Sequence, residues 1–320
     1  MTGHTDRREV VTALKGALPY LRLFKGKTFV LKAGGALCGD FAGLKALAVQ
    51  VETLREIGIR VVLVHGGGPQ TTELQKRLGI ETVFVEGRRV TCSKTLDVAV
   101  QTMNGSASTA ILAACRAVGM PALGLSGIDA GLVKARRRPP RNRLVNGVPT
   151  VVDYGHVGDV VSVDASVLTR LLDAGFVPVV SPLSADDDGN VLNINADTVA
   201  SAIARAMRAE KLIFLTEAPG ILEDRNDPTS LISFIDAPGI DGLIARGVID
   251  AGMLPKANAA KEALFGGVKR VHVISDRTPD SVLIEVFTNE GCGTLIVMDT
   301  RDLAPAEQSG TAEVSEEAAS

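Results

Sequence analysis

Twice near its start the chain runs from a short apolar stretch through a cluster of glycines into helical spacing. Residues 28–31 enter Lys32-Ala33-Gly34-Gly35 and are followed by a helical stretch over about 41–57. Residues 59–64 enter His65-Gly66-Gly67-Gly68-Pro69-Gln70, again with helical spacing behind them. Repeated strand, glycine-turn, helix units imply parallel strands with right-handed crossovers, because parallel neighbours must be joined by a long connection. The pattern continues with a helix over about 95–118, a strand at 120–125, a helix near 165–174 and a strand at 177–181. Later strands are predicted at 211–216, 270–274 and 293–298, with helices at about 198–207, 258–265 and 280–287. The fold class expected is a layered α/β structure with a parallel core sheet.

At 320 residues the chain can bury most of the apolar surface of its unfolded state, as one large domain or two smaller ones. Hydrophobic residues make up 46% of it, with no Trp and two Tyr, which favours an aliphatic enzyme core over an aromatic-rich binding module or a disordered chain. A net charge of -3 offers no global attraction for nucleic acid or acidic membrane. Cys38, Cys92, Cys115 and Cys292 lack CxxC spacing and read as reduced thiols, not as a zinc site or redox pair. The first ten residues carry no apolar h-region, and no stretch approaches the roughly 20 apolar residues of a membrane helix. The expected compartment is the cytoplasm. Before the first strand, Val10, Leu14, Ala17, Leu18 and Leu21 recur at helical spacing, and Pro19 is expected to kink that helix near its end. Residues 299–320, rich in Ala, Glu, Ser and Thr, are expected to form a disordered tail.

A glycine-rich turn leading into a helix lets backbone N–H groups converge on an anion, where the helix dipole also favours negative charge. Gly34-Gly35, after a lysine, suits phosphate; Gly66-Gly67-Gly68 suits a second phosphate edge or a carboxylate. Either turn alone is weak evidence, because glycines at strand ends more often serve tight packing. The chain has no GxxxxGK[ST], and no GxGxxG with a downstream acidic partner. A serine hydrolase fits poorly, since Gly124-Leu125-Ser126-Gly127 is followed by Ile128 where a nucleophile elbow needs glycine. Lys32, ending an apolar strand, would be costly to bury without a carboxylate or phosphate partner. Asn193-Ile194-Asn195-Ala196-Asp197-Thr198 puts Asp197 at a helix start, where capping is its ordinary role, and Lys256 by itself is equally well read as a surface lysine. Together, two ammonium groups, a carboxylate and a glycine turn can hold a transferring phosphoryl group without a covalent intermediate. The basic run 134–143 has two prolines and no interleaved aromatics, and reads as a solvated hairpin tip, not as a nucleic-acid contact.

These residues occur in the order and setting of one family. Matching segments are Lys32-x-Gly34-Gly35, Val64-His65-Gly66-Gly67-Gly68-Pro69-Gln70, Gly87-Arg88-Arg89-Val90-Thr91, Gly124-Leu125-Ser126-Gly127 and Val157-Gly158-Asp159-Val160. Further matches are Asn193-Ile194-Asn195-Ala196-Asp197, Leu215-Thr216-Glu217-x-x-Gly220-Ile221-Leu222 and Gly252-Met253-x-Pro255-Lys256. Over residues 8–298 the chain resembles the N-acetyl-L-glutamate kinases of the amino-acid-kinase family. The resemblance implies a three-layer αβα sandwich about a mainly parallel sheet. It also implies an N-terminal helix over 1–25 and a kinase domain over 26–298, with an acceptor lobe to about 183 and a nucleotide lobe beyond.

The activity implied is ATP-dependent phosphorylation of the side-chain carboxylate of N-acetylglutamate in arginine biosynthesis. By similarity, Gly67, Gly68, Arg89 and Asn193 would hold the acceptor, with Arg89 forking onto its carboxylate. Lys32 and Lys256 would flank the γ-phosphate, and Asp197 would orient both ammonium groups. Gly34 and Gly35 would donate N–H groups to ATP phosphates, and Thr216, Gly220 and Leu222 would border the nucleotide. Mg²⁺ would be held mainly by phosphate oxygens, with no cage of protein carboxylates. Family members with an extra N-terminal helix form hexamers, trimers of dimers, inhibited by arginine; Tyr20, His272, Glu285 and Gly291 match positions of that effector pocket. Ala33, Cys92, Ser108-Thr109 and Glu217 depart from the family's usual residues. Rival readings are a kinase for N-acetylaminoadipate, one methylene longer, and a non-catalytic arginine-sensing module.

Overall fold

The computed structural model describes residues 7–85, 88–145, 148–249, 252–288 and 291–302. Its main sheet has eight strands, here numbered in chain order: β1 (Thr28–Ala33), β2 (Arg60–His65), β3 (Ala122–Ser126), β4 (Val177–Ser181), β5 (Lys211–Thr216), β6 (Phe234–Asp236), β7 (Arg270–Ser275) and β8 (Thr294–Val297). They lie in the order β6-β8-β7-β5-β1-β2-β4-β3. Every pairing is parallel except β7 with β8.

The alternation of side chains assigns the two faces. Val30, Val62 and Val64 enter one core cluster, while Phe29, Leu31, Val61 and Leu63 enter the other. Strands apolar on both sides must be covered on both sides, so helices flank the sheet and make a three-layer αβα sandwich. On the first face lie α6 (Ser166–Asp173), α7 (Ala196–Ala206), α8 (Ala237–Ala245) and α9 (Leu254–Phe265). On the second lie α2 (Phe41–Glu56), α5 (Ser108–Ala117) and α10 (Ser281–Phe287), with the end of α1 (Arg7–Phe24).

The amphipathic α1 runs through Pro19 and docks by aromatic edges, Tyr20 on Phe287 at 6.4 Å and Phe24 on Phe29 at 5.2 Å between ring centres. The helix expected over 95–118 is a helical run from α4 (Ser93–Val100) into α5 whose middle, Gln101–Ala107, is π-helical. A π segment adds a residue to the turn and rotates the side chains that follow, a phase change invisible to a search for 3.6-residue periodicity.

A second sheet, absent from the sequence-based expectation, joins Val133–Arg137, Gly158–Val163, Leu183–Ala185 and Val191–Asn193. Two further antiparallel pairs join Phe84–Val85 with Arg88–Arg89, and Arg141–Val145 with Val148–Val152. Short α3 (Gly68–Arg77) completes the helices. Gly87, the first six residues and the expected tail beyond residue 302 lie outside the described residues; Thr300–Asp302 form a 3₁₀ turn. Among the described residues no helix is long and apolar enough to cross a membrane.

Candidate active site

A cleft opens beyond the carboxyl ends of β1, β2 and β4, where ligands of open parallel sheets usually bind. Lys32 is near the end of β1, paired to Phe214 on one side and Val64 on the other, so the sheet itself holds its stem at the centre. Asp197 lies in the first turn of α7. The cap of that helix is Asn195, whose Oδ1 accepts from Asp197 N at 2.8 Å and Thr198 N at 3.2 Å. Capping, read from the sequence as the ordinary role of Asp197, thus falls to its neighbour, and the Asp197 carboxylate faces the lysines.

Lys256 belongs to the first turn of α9, which starts four residues before the predicted 258 because Pro255 suits a helix entry. Lys32 Nζ at 3.0 Å and Lys256 Nζ at 3.2 Å both reach Asp197 Oδ1. The three residues are only 9%, 6% and 8% exposed, respectively for Lys32, Lys256 and Asp197. Burial pushes the Asp197 carboxyl up, but the two ammonium groups outweigh it and hold the group at about 2. Burial, reinforced by the Lys32 charge and opposed by Asp197, lowers Lys256 to about 8. The Lys256 ammonium also lies 4.7 Å from the centre of the Phe214 ring. Two cations on one carboxylate leave a buried excess of positive charge, which an anionic ligand would offset.

The two glycine turns press against each other at the cleft floor. A Cβ on Gly35 would come within 2.6 Å of Pro69 Cδ, and one on Gly67 within 2.7 Å of Met103 Cγ. None of these glycines has positive φ, so space and not backbone conformation is what excludes larger residues. Gln70 Nε2 donates to Gly35 O at 2.7 Å and ties the turns together. Gly68, which has open space where a Cβ would go, begins α3 and turns that helix's first N–H groups toward the cleft.

Arg89 and Asn193 stand in the cleft wall. The Arg89 guanidinium donates to Gly68 O at 3.0 Å, to Thr72 Oγ1 at 2.7 Å and to Gln75 Oε1, and lies 4.8 Å from the Phe84 ring centre. All these acceptors are neutral, and among the described residues Arg89 has no carboxylate partner. Asn193 Nδ2 donates to Thr91 Oγ1 at 3.3 Å. Gly35 lines the cleft, whereas Gly34, Thr216, Gly220 and Leu222 do not. Thr216 ends β5 and accepts from Asp276 N at 2.8 Å, and Gly34 sits against the end of that strand. Gly220 is pressed on Leu231 and Thr294, 2.6 Å from each for an added Cβ, and Leu222 bridges to Leu231.

The expected effector residues converge elsewhere, under α1. His272 on β7 meets Glu285 on α10, Nδ1 to Oε1 at 2.6 Å, and Lys211 Nζ lies 2.9 Å from Nε2. An ammonium only donates, so Nε2 accepts and Nδ1–H donates to Glu285. Burial, together with the Lys211 charge, lowers the His272 pKa, in keeping with a neutral ring. Cys292 N donates to Glu285 Oε2 at 2.7 Å. Burial raises Glu285, but these partners overcome it and hold the carboxyl at about 2. Gly291 has φ +62°, and a side chain there would strike Glu285 Oε2. Tyr20 reaches the same corner through Phe287 of α10.

The cleft also contains residues not anticipated from sequence: Phe84, Arg88, Met103 and Arg138. Arg138 corrects the reading of 134–143 as a solvated hairpin tip. Its strand, Val133–Arg137, alternates buried Val133 and Ala135 with outward Lys134 and Arg136, and Arg138 then turns into the cleft, its side chain 11% exposed. That alternation was the one available signal, masked by the run of charge. Among the described residues no group of three or more His, Cys, Asp or Glu is placed to hold a metal ion.

Fold and site together give an α/β protein with Lys32, Arg88, Arg89 and Arg138 lining a cleft at the sheet's carboxyl edge, the arrangement suited to a phosphotransferase. The family model for the amino acid kinase family matches residues 27–275, and the chain belongs to that family. Acetylglutamate kinase of Symbiobacterium thermophilum is 47% identical over 285 residues, covering 89% of this chain and 96% of the relative. That of Myxococcus xanthus is 46% identical over 290 residues, covering 90% and 94%. Within the family the chain groups with the acetylglutamate kinases. Among solved structures, N-acetylglutamate synthase from Neisseria gonorrhoeae, complexed with coenzyme A and N-acetyl-glutamate, superposes with TM-score 0.78 at 27% identity. The match covers 91% of this chain but 64% of that protein. Carbamate kinase from Giardia lamblia bound to AMP-PNP, at TM-score 0.59, 21% identity and coverage of 86% and 99%, shares the fold.

Proposed function

We propose that this enzyme transfers the γ-phosphoryl group of ATP to the side-chain carboxylate of N-acetyl-L-glutamate, giving N-acetylglutamyl 5-phosphate. The observation that carries the reading is the shared Asp197 oxygen, which holds the Lys32 and Lys256 ammonium groups together beside the cleft. An ionised carboxylate is itself the nucleophile, so no general base is needed. The barrier is electrostatic repulsion between two anions, and the two lysines would offset it as charge redistributes on the migrating phosphoryl group. Arg89, lacking a carboxylate partner among the described residues, would fork onto the acceptor's other carboxylate, with Gly67, Gly68 and Asn193 around it. Gly34 and Gly35 would give N–H groups to the nucleotide phosphates, with Thr216, Gly220 and Leu222 bordering the nucleoside. Mg²⁺ would be bound through those phosphates and would neutralise part of their charge.

We further propose L-arginine as a feedback inhibitor at the corner of Tyr20, His272, Glu285 and Gly291, and a homo-oligomer, a hexamer, assembled through α1. What supports it is the gathering of these four residues under that helix, and the likeness to the Neisseria gonorrhoeae synthase, whose structure with coenzyme A and L-arginine superposes at TM-score 0.78. Hydroxylamine trapping tests the activity: with ATP and Mg²⁺, hydroxamate should form from N-acetylglutamate much faster than from glutamate, aspartate or N-acetylaminoadipate. A flat profile across these acceptors rejects the reading. Deleting residues 1–23 should abolish arginine inhibition and reduce the oligomer's size, and unchanged behaviour would reject the effector assignment.

A further inference from the structure

We infer that Arg138 donates to the amide carbonyl oxygen of the acceptor's blocked amino group and thereby makes the cleft selective for acylated over free amino acids. The inference rests on the acceptor reading above and adds a specificity-determining residue to it.

The side chain is fixed before any ligand arrives. Its Nε at 3.0 Å and Nη2 at 2.5 Å both donate to Asp159 Oδ1, and its guanidinium lies 5.8 Å from the ring centre of Tyr154. Tyr154 is 1% exposed and packs with Val152 and Val157, while Arg138 N donates to Val157 O at 2.8 Å. Among the described residues Nη1 has no hydrogen-bond partner, and the residue lines the same cleft as Arg89 and Asn193.

Charge distinguishes the two arginines. Arg89 carries a positive charge that no described carboxylate balances, which suits an anionic group. Arg138 is already paired with Asp159, whose other oxygen has, among the described residues, only the half-exposed Arg141 at 4.0 Å, so a second carboxylate placed on Arg138 would meet that adjacent negative charge, whereas a neutral carbonyl oxygen would not. A free amino acid would bring an ammonium toward Arg89, whose charge no described carboxylate balances, and toward Lys32, which shares the single Asp197 carboxylate with Lys256, and these like charges would oppose it. Acylation removes that charge and supplies the acceptor oxygen.

The test compares the whole enzyme with Arg138→Gln, and with the double variant Arg138→Leu, Asp159→Leu, which leaves no orphaned carboxylate. KM and kcat are measured for N-acetylglutamate, glutamate and ATP, with calorimetric binding of N-acetylglutamate in the absence of ATP. KM for N-acetylglutamate should rise about tenfold, the size expected for one lost hydrogen bond from a charged donor. The preference for N-acetylglutamate over glutamate in kcat/KM should fall by about the same factor, with kcat and KM for ATP within twofold. Asp159→Asn, which keeps the guanidinium, should retain KM within about threefold. Variants with wild-type melting temperature and unchanged KM and selectivity would overturn the assignment alone. Parallel losses in kcat and KM for ATP would also overturn it, by showing a structural role. A wild-type enzyme that neither binds nor turns over N-acetylglutamate would instead remove the acceptor reading beneath it.

Discussion

Asp197 and Glu285 are both buried carboxyls held at about 2 by nitrogen partners, yet their surroundings differ in net charge. Asp197 shares one oxygen between two ammonium groups, so the cluster keeps an uncompensated positive charge facing the cleft. Around Glu285 a neutral His272 and a backbone N–H complete the carboxylate, and the Lys211 ammonium balances its charge through the imidazole. The depressed pKa is common to both and tells them apart in nothing. The excess of cations over anions is what suits the first, and not the second, to an anionic ligand.

Lys256→Met puts that comparison under the greatest strain. Turnover should fall about 10³-fold, the order seen when one preorganised transition-state contact is removed, while the melting temperature moves by only a few degrees because Lys32 still balances Asp197. Glu285→Gln, assayed beside it without arginine, should keep turnover within twofold. Comparable losses of activity and stability in Lys256→Met would make the lysine structural and erase the distinction.

Urea unfolding sharpens the contrast by a smaller margin. Asp197→Asn strands two buried ammonium groups and should cost about 3–5 kcal/mol. In Glu285→Gln the amide oxygen still accepts from one neighbour, so the cost should be about 1–3 kcal/mol. Equal losses would mean that the Asp197 cluster carries no special excess charge.

The pH dependence gives the mildest effects. Both carboxyls are depressed, from 3.8 for Asp197 and 4.5 for Glu285 to about 2, so their stabilisation is present above those ordinary values and is lost as pH falls toward 2. Lys256 has the opposite bookkeeping: lowered from 10.5 to about 8, its ammonium form penalises the fold below about pH 8, and the penalty disappears between 8 and 10.5. Above about pH 8, kcat/KM should therefore fall by up to tenfold per unit as Lys256 loses its proton, although the fold does not weaken through this group. An activity profile flat to pH 10 would detach Lys256 from the chemistry.

The sandwich was legible because strands such as 28–33 and 60–65 are apolar on both faces and are punctuated by glycine before each helix. Boundaries were less legible where local chemistry competed. Asn195 and Asp197 are both good caps, and periodicity could not say which one turned inward. The second sheet is hard to read from sequence because its strands are short, two of them three residues long, and one, Val133–Arg137, is charged on its outer side, which also hides Arg138 within what looks like a solvated run. The π segment at 101–107 keeps an apolar pattern but changes its phase, so a 3.6-residue period does not place Met103 in the cleft.

From the order of residues alone came a parallel α/β core, the places where backbone could approach an anion closely, and the inventory of cations and carboxylates. Those properties depend on nearest neighbours along the chain and on the spacing of apolar side chains. Only the folded sheet decided that Lys32 and Lys256 share one oxygen of Asp197, that Glu285 closes on His272, and that Arg138 lines the same cleft as Arg89 and Asn193. The cause is strand order: β5 lies beside β1, and α7 and α9 pack on the same face of that pair, bringing together groups that no local pattern connects.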